Sequence, residues 1–190
     1  MKKWLYDFKL LAEASDVKEK QIVDHIGFPN KVRQCVLNAQ SFSTLLVSFG
    51  SFQQYFRRWG INNLNPDEKS LDSIRKDLRS RFVGIGPVNV NHFLSELGLN
   101  VLKPDRVICR IFYRLDLIKS PDDTDGAIAV GRDFQQAVGK PLRVIDIIIV
   151  KYGQIGKSKD LGTNGGICLE NDPKCYMCDV LDYCHWNRNR

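Results

Sequence analysis

Four cysteines lie close together near the end of the chain, and their thiols are the side chains best suited to bind a metal. Cys168, Cys175, Cys178 and Cys184 follow the spacing C-x6-C-x2-C-x5-C. Structural zinc sites with four cysteines usually consist of two separated C-x2–4-C pairs, but only Cys175 and Cys178 form such a pair here. One compact loop wrapped around a [4Fe–4S] cluster fits this spacing better. The spacing therefore favours an iron–sulfur cluster with these four ligands, and zinc stays the alternative.

The other two cysteines, Cys35 and Cys109, fall on apolar faces of predicted helices. A free thiol in such a position behaves as a small hydrophobic side chain. We therefore expect both thiols to be buried in the core.

The start of the chain does not have the pattern of a secretory signal. Lys2 and Lys3 are followed by Asp7, Lys9 and Glu13, which interrupt any apolar run. No apolar run has the length of a membrane span, so we expect no membrane partner. An intracellular, reducing compartment is expected (the cytoplasm, with the nucleoid in a prokaryote), where thiols bind metals rather than form disulfides.

A glycine-rich segment, Val83-Gly84-Ile85-Gly86-Pro87, separates two predicted helices. Glycine tolerates positive φ and lets another backbone approach closely, and proline suits the first turn of a helix. Backbone N–H groups that point outward at the start of a helix attract anions. The segment is therefore expected to form a tight turn that binds a phosphate.

Positive charge is concentrated around this turn. The segment from Arg75 to Lys119 contains nine Lys and Arg residues against four acids, so it holds most of the net charge of +6. Such a basic stretch is either a solvated helix face or a surface for a phosphate backbone.

A carboxylate, Asp105, stands at the start of a further predicted helix, in the segment 103–106. From the residues alone, the acid is either a favourable charge in the first helical turn or a group placed for chemistry. A fixed carboxylate stabilises positive charge that develops in a transition state and orients an attacking water.

Together, the cysteine spacing, the glycine turn and the acid resemble the helix-hairpin-helix superfamily of DNA glycosylases. The cysteine spacing resembles the cluster loop of its endonuclease III branch, and residues 82–86 resemble the hairpin motif hydrophobic-x-Gly-hydrophobic-Gly. The resemblance covers residues 28–119 and 144–185. It implies an all-α fold with two parts. A helical bundle with the hairpin would occupy residues 21–118, and residues 1–20 and 119–190 would form a helical lobe with the cluster loop at 168–184.

The resemblance also implies roles for individual residues. In that branch the cluster is structural and shapes a loop that touches DNA, while the hairpin grips phosphates of one strand without reading bases. Asp105 matches the catalytic aspartate, whose carboxylate stabilises the oxocarbenium-like sugar as the N-glycosidic bond breaks. The residues expected to contact DNA are Arg81, Gly84, Ile85, Gly86, Val88, Arg106 and Lys174.

Val88 bears on the mechanism. In family members that also cut the strand, a lysine follows the second hairpin glycine by two residues and forms a Schiff base. Val88 stands at that position here and cannot attack C1′. We therefore expect a monofunctional glycosylase that leaves an abasic site, with Lys103 as the alternative amine.

A second resemblance concerns the substrate. The segment 30–59 and the sequence RFVGIG resemble 3-methyladenine DNA glycosylase I, whose terminal zinc ligands have no counterpart here. An alkylated purine is the favoured substrate, because a cationic lesion has a weakened glycosidic bond and is held by an aromatic side chain once flipped. The candidate stacking residues, most of which are also candidates for the core, are Trp4, Tyr6, Phe42, Tyr55 and Trp59.

Two alternative functions stay open. The family ordinarily has more chain before the hairpin, and three explanations stay open: a minimal pocket that is still active, a partner that completes the short N-terminal region, or a relative that binds DNA without cleaving any bond. The other alternative is a glycosylase for mispaired uracil or thymine. The expected partner is double-stranded DNA, with a damaged base if the chain is an enzyme, and we expect a monomer.

Helical periodicity accounts for most of the chain. Apolar stripes predict helices over residues 31–47 and 70–80. The β-branched run before Tyr152 is predicted as a buried helix over 144–152, because Pro141 suits a first turn. The side chains expected to face inward on the helix at 70–80 are Leu71, Ile74 and Leu78. A first helix with Trp4, Leu5 and Phe8 on its apolar stripe and an irregular loop at 157–166 are also expected.

Overall fold

The protein is described by a computed structural model that covers residues 7–156 and 165–188. These residues form α-helices, short 3-10 turns and loops, and contain no β-strand, which confirms the all-α class. The α-helices are α1 (Phe8–Ala12), α2 (Asp16–Ile26), α3 (Pro29–Phe49), α4 (Phe52–Arg58), α5 (Glu68–Arg81), α6 (Pro87–Glu96), α7 (Arg106–Arg114), α8 (Thr124–Val138), α9 (Leu142–Gly153) and α10 (His185–Arg188). Trp4, Leu5, Tyr6 and most of the predicted loop at 157–166 lie outside the described residues.

None of the helices in the described ranges is long and apolar enough to cross a lipid bilayer.

The chain divides into two compact units, with the boundary between Val90 and Asn91. The division implied by the resemblance, with a bundle over residues 21–118, stays a prediction.

The first unit is built around α3, against which α1, α2 and α4 pack. Gly27 takes a φ of 71° and ends α2, Phe28 is left-handed, and Pro29 then begins α3. The helix predicted over 31–47 is confirmed and is longer at both ends. Its buried face includes Val32 and Val36.

Cys35 lies outside this buried face and is exposed, so the expectation of a buried thiol is wrong there. It stands one position before Val36, which corresponds to about 100° around the helix axis. Cys109, by contrast, is buried in the second unit as expected.

The helix predicted over residues 70–80 is confirmed as α5. Asp67 begins it by accepting a hydrogen bond from the Ser70 N–H at 2.9 Å. Leu71, Ile74 and Leu78 are fully buried, as their spacing predicts.

The second unit is built around α7, which packs against α8 and α9. The buried cluster at its centre consists of Leu102, Ile108, Cys109, Ile111, Phe112, Ile118, Ala127, Leu142 and Ile145. Gly153 permits close packing of α9 on α7, because a Cβ there would lie 2.6 Å from Val107 Cγ1. This packing fixes the helix that carries Asp105 at one end.

The run at 144–152 is helical, as predicted, but it is not wholly buried. Ile145 and Asp146 face inward, whereas Ile147 and Ile148 are 41% and 59% exposed. The helix therefore has one buried face and exposed apolar residues on the other, instead of being buried all round as expected.

Candidate functional site

Asp105 is the N-cap of α7. Its Oδ1 accepts hydrogen bonds from the N–H groups of Val107 at 2.9 Å and Ile108 at 3.1 Å. Such a cap satisfies helix N–H groups that otherwise lack partners. The other carboxylate oxygen, Oδ2, lies 3.6 Å from Lys103 Nζ. The Asp105 side chain is 20% exposed, so the carboxylate is not fully enclosed by the protein.

A second carboxylate, Asp146, lies beneath the loop that leads to Asp105. Asp146 is 4% exposed, and its Oδ2 accepts a hydrogen bond from the Lys103 N–H at 3.4 Å. Burial raises the pKa of Asp146, the negative charge of Asp105 raises it further, and the Lys103 N–H and nearby Arg143 oppose the rise. Sequence reasoning missed this residue, because the sequence shows an acid within an apolar run only as an interruption.

The glycine turn is held by side chains from α3. The carboxamide of Asn38 donates to the Val83 carbonyl oxygen at 3.0 Å and accepts from the Val83 N–H at 2.7 Å. Gly84 takes a φ of 77°, as the motif predicts, and a Cβ there would lie 3.0 Å from Gln34 Oε1. Gly86 does not have a positive φ, and a Cβ at that position would have no neighbour within 4 Å.

Other residues predicted at the turn differ in exposure. Ile85 and Val88 are half-buried, and Gly84 is exposed. Their contact with DNA stays a prediction.

Arg81, predicted to contact phosphate, is engaged within its own unit. Its Nε donates to Asp77 Oδ2 at 2.5 Å, and its guanidinium lies over the rings of Phe49 and Tyr55. The Tyr55 hydroxyl also donates to Asp77, at 2.6 Å, and burial raises the pKa of Tyr55 well above its usual range. Asp77 therefore neutralises much of the charge that Arg81 would offer to DNA.

Two candidate stacking residues in the described ranges, Phe42 and Tyr55, are packed against other aromatics. Tyr55 is fully buried, and Phe42 lies edge-on to Phe8 with ring centroids 4.8 Å apart. Phe42 and Trp59 are half-buried. Trp4 and Tyr6 lie outside the described residues.

Two of the predicted basic contacts lie in the second unit. Arg106, in the first turn of α7, is exposed, whereas Lys174 is half-buried. Between Cys168 and Cys184 the chain has four acidic residues and Lys174 as its one basic residue. This acidic balance does not favour contact of the loop with phosphates.

Arg114, at the last position of α7, binds the segment that carries the cysteines. Its Nη1 lies 3.3 Å from Cys168 Sγ and 2.6 Å from the Leu169 carbonyl oxygen, and its Nη2 donates to the Glu170 carbonyl oxygen at 3.0 Å. The Cys184 thiol points to the Arg114 carbonyl oxygen at 3.5 Å. Arg114 therefore contacts the first and the last of the four cysteines.

Arg114 also lies over the ring of Trp186. The guanidinium of Arg114 lies 5.0 Å from the centroid of that ring. Although it is charged, Arg114 is only 5% exposed.

A third cysteine, Cys178, is held from α9. Its sulfur accepts a hydrogen bond from the Tyr152 hydroxyl at 3.2 Å, and burial together with this hydrogen bond raises the pKa of Tyr152 above its usual range. Cys175 lies in a 3-10 turn, where its carbonyl oxygen accepts from the Cys178 N–H at 3.1 Å.

Within the described ranges, no group of three or more Cys, His, Asp or Glu side chains converges on one metal-ion position. Convergence on one position is what a zinc ion requires, because all its ligands bind the same atom. In a [4Fe–4S] cluster each thiolate binds a different iron atom, so the ligands stand farther apart.

The surroundings of Cys168 are electropositive. Arg110 Nη2 donates to the carbonyl oxygens of Gly153 at 2.5 Å and Cys168 at 3.2 Å, while its Nε is buried without an acceptor in the described part of the chain. Burial and the neighbouring charge of Arg114 lower the pKa of Arg110. A carboxylate oxygen of Glu170 lies 3.8 Å from Arg110 Nη1, but the Glu170 side chain is 72% exposed.

Two largely buried guanidinium groups thus face the cysteine segment with little carboxylate to balance them. Buried cations are stable when an anion compensates them. A metal centre ligated by four thiolates carries net negative charge, so the charge around Cys168 suits such a group. For Cys168 itself burial raises the pKa of the thiol, and Arg114 opposes that rise.

A cleft of about 550 Å³ borders α7 and the cysteine segment. Its wall combines arginines with acids, so it has no clear preference for an anion or a cation. The lining residues are Arg106, Arg110, Tyr113, Arg114, Pro121, Asp122, Glu170, Asn171, Asp172 and Trp186.

In comparisons with known proteins, no family model, curated protein or solved structure matches the chain. Any assignment of function therefore rests on the chemistry of the site itself.

Proposed function

We propose that this chain is a monofunctional helix-hairpin-helix DNA glycosylase that removes a damaged base, with an alkylated purine as the favoured substrate. The observation that carries the proposal is the organisation of α7. This one helix is capped by Asp105 at its first turn and binds the cysteine segment through Arg114 at its last. A partly exposed carboxylate is thereby tied to a segment with four thiols.

In this proposal Asp105 Oδ2 faces the deoxyribose of the flipped nucleotide. As the N-glycosidic bond lengthens, positive charge develops on the sugar, and the carboxylate stabilises it and orients the attacking water. Oδ1 stays bound to the N–H groups of Val107 and Ile108, so the acid cannot rotate away. Val88, at the position of the family's lysine, has no amine for strand cleavage.

Cys168, Cys175, Cys178 and Cys184 would hold a [4Fe–4S] cluster. When bound, the cluster would supply structure rather than chemistry on the base, by cross-linking a segment that has little secondary structure of its own. Arg110 and Arg114 would balance its charge. Zinc in the same four thiols is the alternative.

A non-catalytic DNA-binding protein is the second candidate. The capping role of Asp105 favours this candidate. Its hydrogen bonds from two helix N–H groups would explain an aspartate at this position without any catalytic role.

One experiment tests both candidates. Duplexes with one alkylated, deaminated or oxidised base are incubated with anaerobically purified protein and then treated with alkali to reveal abasic sites. Release of an alkylated purine by wild type and a loss of about 10²–10⁴-fold in Asp105→Asn support the proposal. Release of uracil or thymine alone would shift the substrate class, whereas DNA binding without any base release by wild type would establish the binding protein.

Asparagine is chosen because it caps helices about as well as aspartate, so the fold is retained. Asp123→Asn is the matched control, since Asp123 caps α8 through the Gly126 N–H in the same way. Equal losses of base release in the two variants would show that the loss does not come from the Asp105 carboxylate in particular.

A further inference from the structure

Asn38, on α3, binds the glycine turn through both ends of its carboxamide. Its Nδ2 donates to the Val83 carbonyl oxygen at 3.0 Å, and its Oδ1 accepts from the Val83 N–H at 2.7 Å. Two hydrogen bonds to the same residue fix the direction of the backbone as well as its position. The turn therefore takes its orientation from α3.

The same face of α3 contacts the next residue of the turn. Gln34 precedes Asn38 by one helical turn, so the two side chains lie on one face. The Gln34 carboxamide lies beside Gly84, where an added Cβ would come within 3.0 Å of its Oε1. Val36 and Ala39, the neighbours of this face, are buried, so the helix is a firm support.

The two glycines of the turn form hydrogen bonds through their carbonyl oxygens. The Gly84 carbonyl oxygen accepts from Asn89 Nδ2 at 3.3 Å, and the Gly86 carbonyl oxygen accepts from the Val90 N–H at 3.0 Å. Among the described residues, no acceptor is paired with the N–H of Gly84 or Gly86. At Gly84 and Gly86 the carbonyl oxygens are thus occupied, whereas the N–H groups are left to bind another acceptor.

We propose that Asn38 is a positioning residue of the phosphate site, which orients the turn so that the N–H groups of Gly84 and Gly86 face a DNA phosphate. The inference rests on the proposed function, in which this turn grips the backbone. Phosphate oxygens are acceptors, so N–H groups attract them and carbonyl oxygens repel them. Asn38 acts through Val83 and does not itself touch DNA.

The test compares Asn38→Ala with Gln40→Ala. Gln40 carries a carboxamide on the same helix, but its Nε2 contacts the Ala12 carbonyl oxygen at 3.4 Å and not the turn. Binding is measured on an undamaged duplex at one fixed salt concentration, because affinity for DNA depends strongly on salt. This assay requires no base excision, so it does not depend on catalysis.

We expect Asn38→Ala to raise the Kd about tenfold, as for the loss of a charge-assisted hydrogen bond to phosphate. Gln40→Ala should bind as wild type does. In protein with isotope-labelled glycine, the amide signals of Gly84 and Gly86 should shift on adding the duplex in wild type and in Gln40→Ala. In Asn38→Ala these shifts should be lost while the melting curve stays cooperative.

Equal affinity of Asn38→Ala and Gln40→Ala, with wild type binding normally, overturns the inference and leaves the proposed function intact. A wild type that does not bind the duplex overturns both. If Asn38→Ala does not fold, Asn38→Asp takes its place, since it keeps an acceptor for the Val83 N–H and loses the donor. Gln40→Asp is then the control for the added charge. The duplex Kd and the glycine amide shifts of these two variants are compared in the same way.

Discussion

Asp105 and Arg114 stand at the two ends of one helix: Asp105 caps the first turn of α7, and Arg114, at its last position, binds the segment that carries the cysteines. A shift of that segment therefore acts on the helix whose start holds the acid. Because α7 is packed on α8 and α9, the two ends move as one rigid element.

Loss of Arg114 should release the cysteine segment. Arg114→Ala removes hydrogen bonds to the Leu169 and Glu170 carbonyl oxygens and to Cys168 Sγ. Hydrogen bonds to a buried charged group are worth about 1.5–3 kcal/mol each, and they are not additive, so we expect a loss of about 2–4 kcal/mol in the free energy of unfolding. Urea denaturation measures this loss.

If the four cysteines bind a [4Fe–4S] cluster as proposed, the metal content should fall together with the stability. Iron and sulfide per chain in Arg114→Ala are expected to be below half of the wild-type value. Arg143→Ala, which removes an exposed pair with Glu96, is the control and should keep both metal and stability. Full metal content in Arg114→Ala would contradict the role given to Arg114.

The sequence predicts those features of the fold that depend on neighbours in the chain. The spacing of Leu71, Ile74 and Leu78 is local, and all three are buried on one face of α5. The break before Pro29 is local too, since it needs only a glycine with positive φ and a proline. The prediction of a buried Cys35 is wrong because periodicity locates the edge of a buried face only to within a residue or so.

The parts of the site that sequence reasoning missed are contacts between distant residues. Asn38 reaches Val83, and Arg114 reaches Leu169, across segments that share no local pattern. Packing decides which polar side chain on a helix meets which loop, and periodicity carries no information about it. One signal was available: the acids between Cys168 and Cys184 already argue against a basic surface there.

Metal analysis should separate the two cofactors. If the four clustered cysteines bind a [4Fe–4S] cluster, the pure protein contains about four iron atoms and four sulfides per chain and has a broad visible absorption. Cys168→Ser should reduce both. Cys35→Ser should change neither, because the Cys35 thiol is exposed on α3, in the other unit.

A zinc site would give a colourless protein with about one zinc ion per chain. A protein that contains neither metal and is as stable in Cys168→Ser as in Cys35→Ser would contradict a metal role for the cluster of cysteines.

The stability of Asp146→Asn should depend on pH in a defined direction. Burial raises the pKa of Asp146 in the folded protein, so the folded state holds the proton more tightly than the unfolded chain. The ionised Asp146 side chain therefore destabilises the folded state. This destabilisation develops as the pH rises from the unfolded pKa to the folded pKa of the group. Asparagine has no charge at any pH and keeps an oxygen for the Lys103 N–H.

We expect Asp146→Asn to be more stable than wild type at neutral pH, with the difference shrinking as the pH falls into the acid range. Asp67→Asn should behave in the opposite way, because hydrogen bonds from Ser70 lower the pKa of Asp67. The stability that the Asp67 charge contributes is present above its unfolded pKa and disappears as the pH falls through the folded one. Denaturant titrations of both variants at several pH values measure these trends, and a constant difference for Asp146→Asn would contradict its raised pKa.

Gly86 should matter for DNA and not for folding. It lacks a positive φ, and a Cβ added there meets nothing within 4 Å, so nothing in the described structure requires glycine. Gly86→Ala should therefore leave the melting temperature unchanged or raise it slightly, since alanine reduces the freedom of the unfolded chain. If a phosphate approaches the turn closely, the added methyl group meets it, and the Kd for a duplex should rise about tenfold.

Gly84→Ala gives the contrasting result. Gly84 has a φ of 77°, and a Cβ there would meet the Gln34 carboxamide at 3.0 Å, so this variant should lose stability by about 1 kcal/mol or more even without DNA. Melting curves and duplex binding, measured on both variants, separate a glycine needed by the fold from one needed by the ligand. Unchanged DNA affinity in a fully folded Gly86→Ala would show that no phosphate comes close to this turn, because a methyl group in the path of a bound phosphate cannot be accommodated without a cost in affinity.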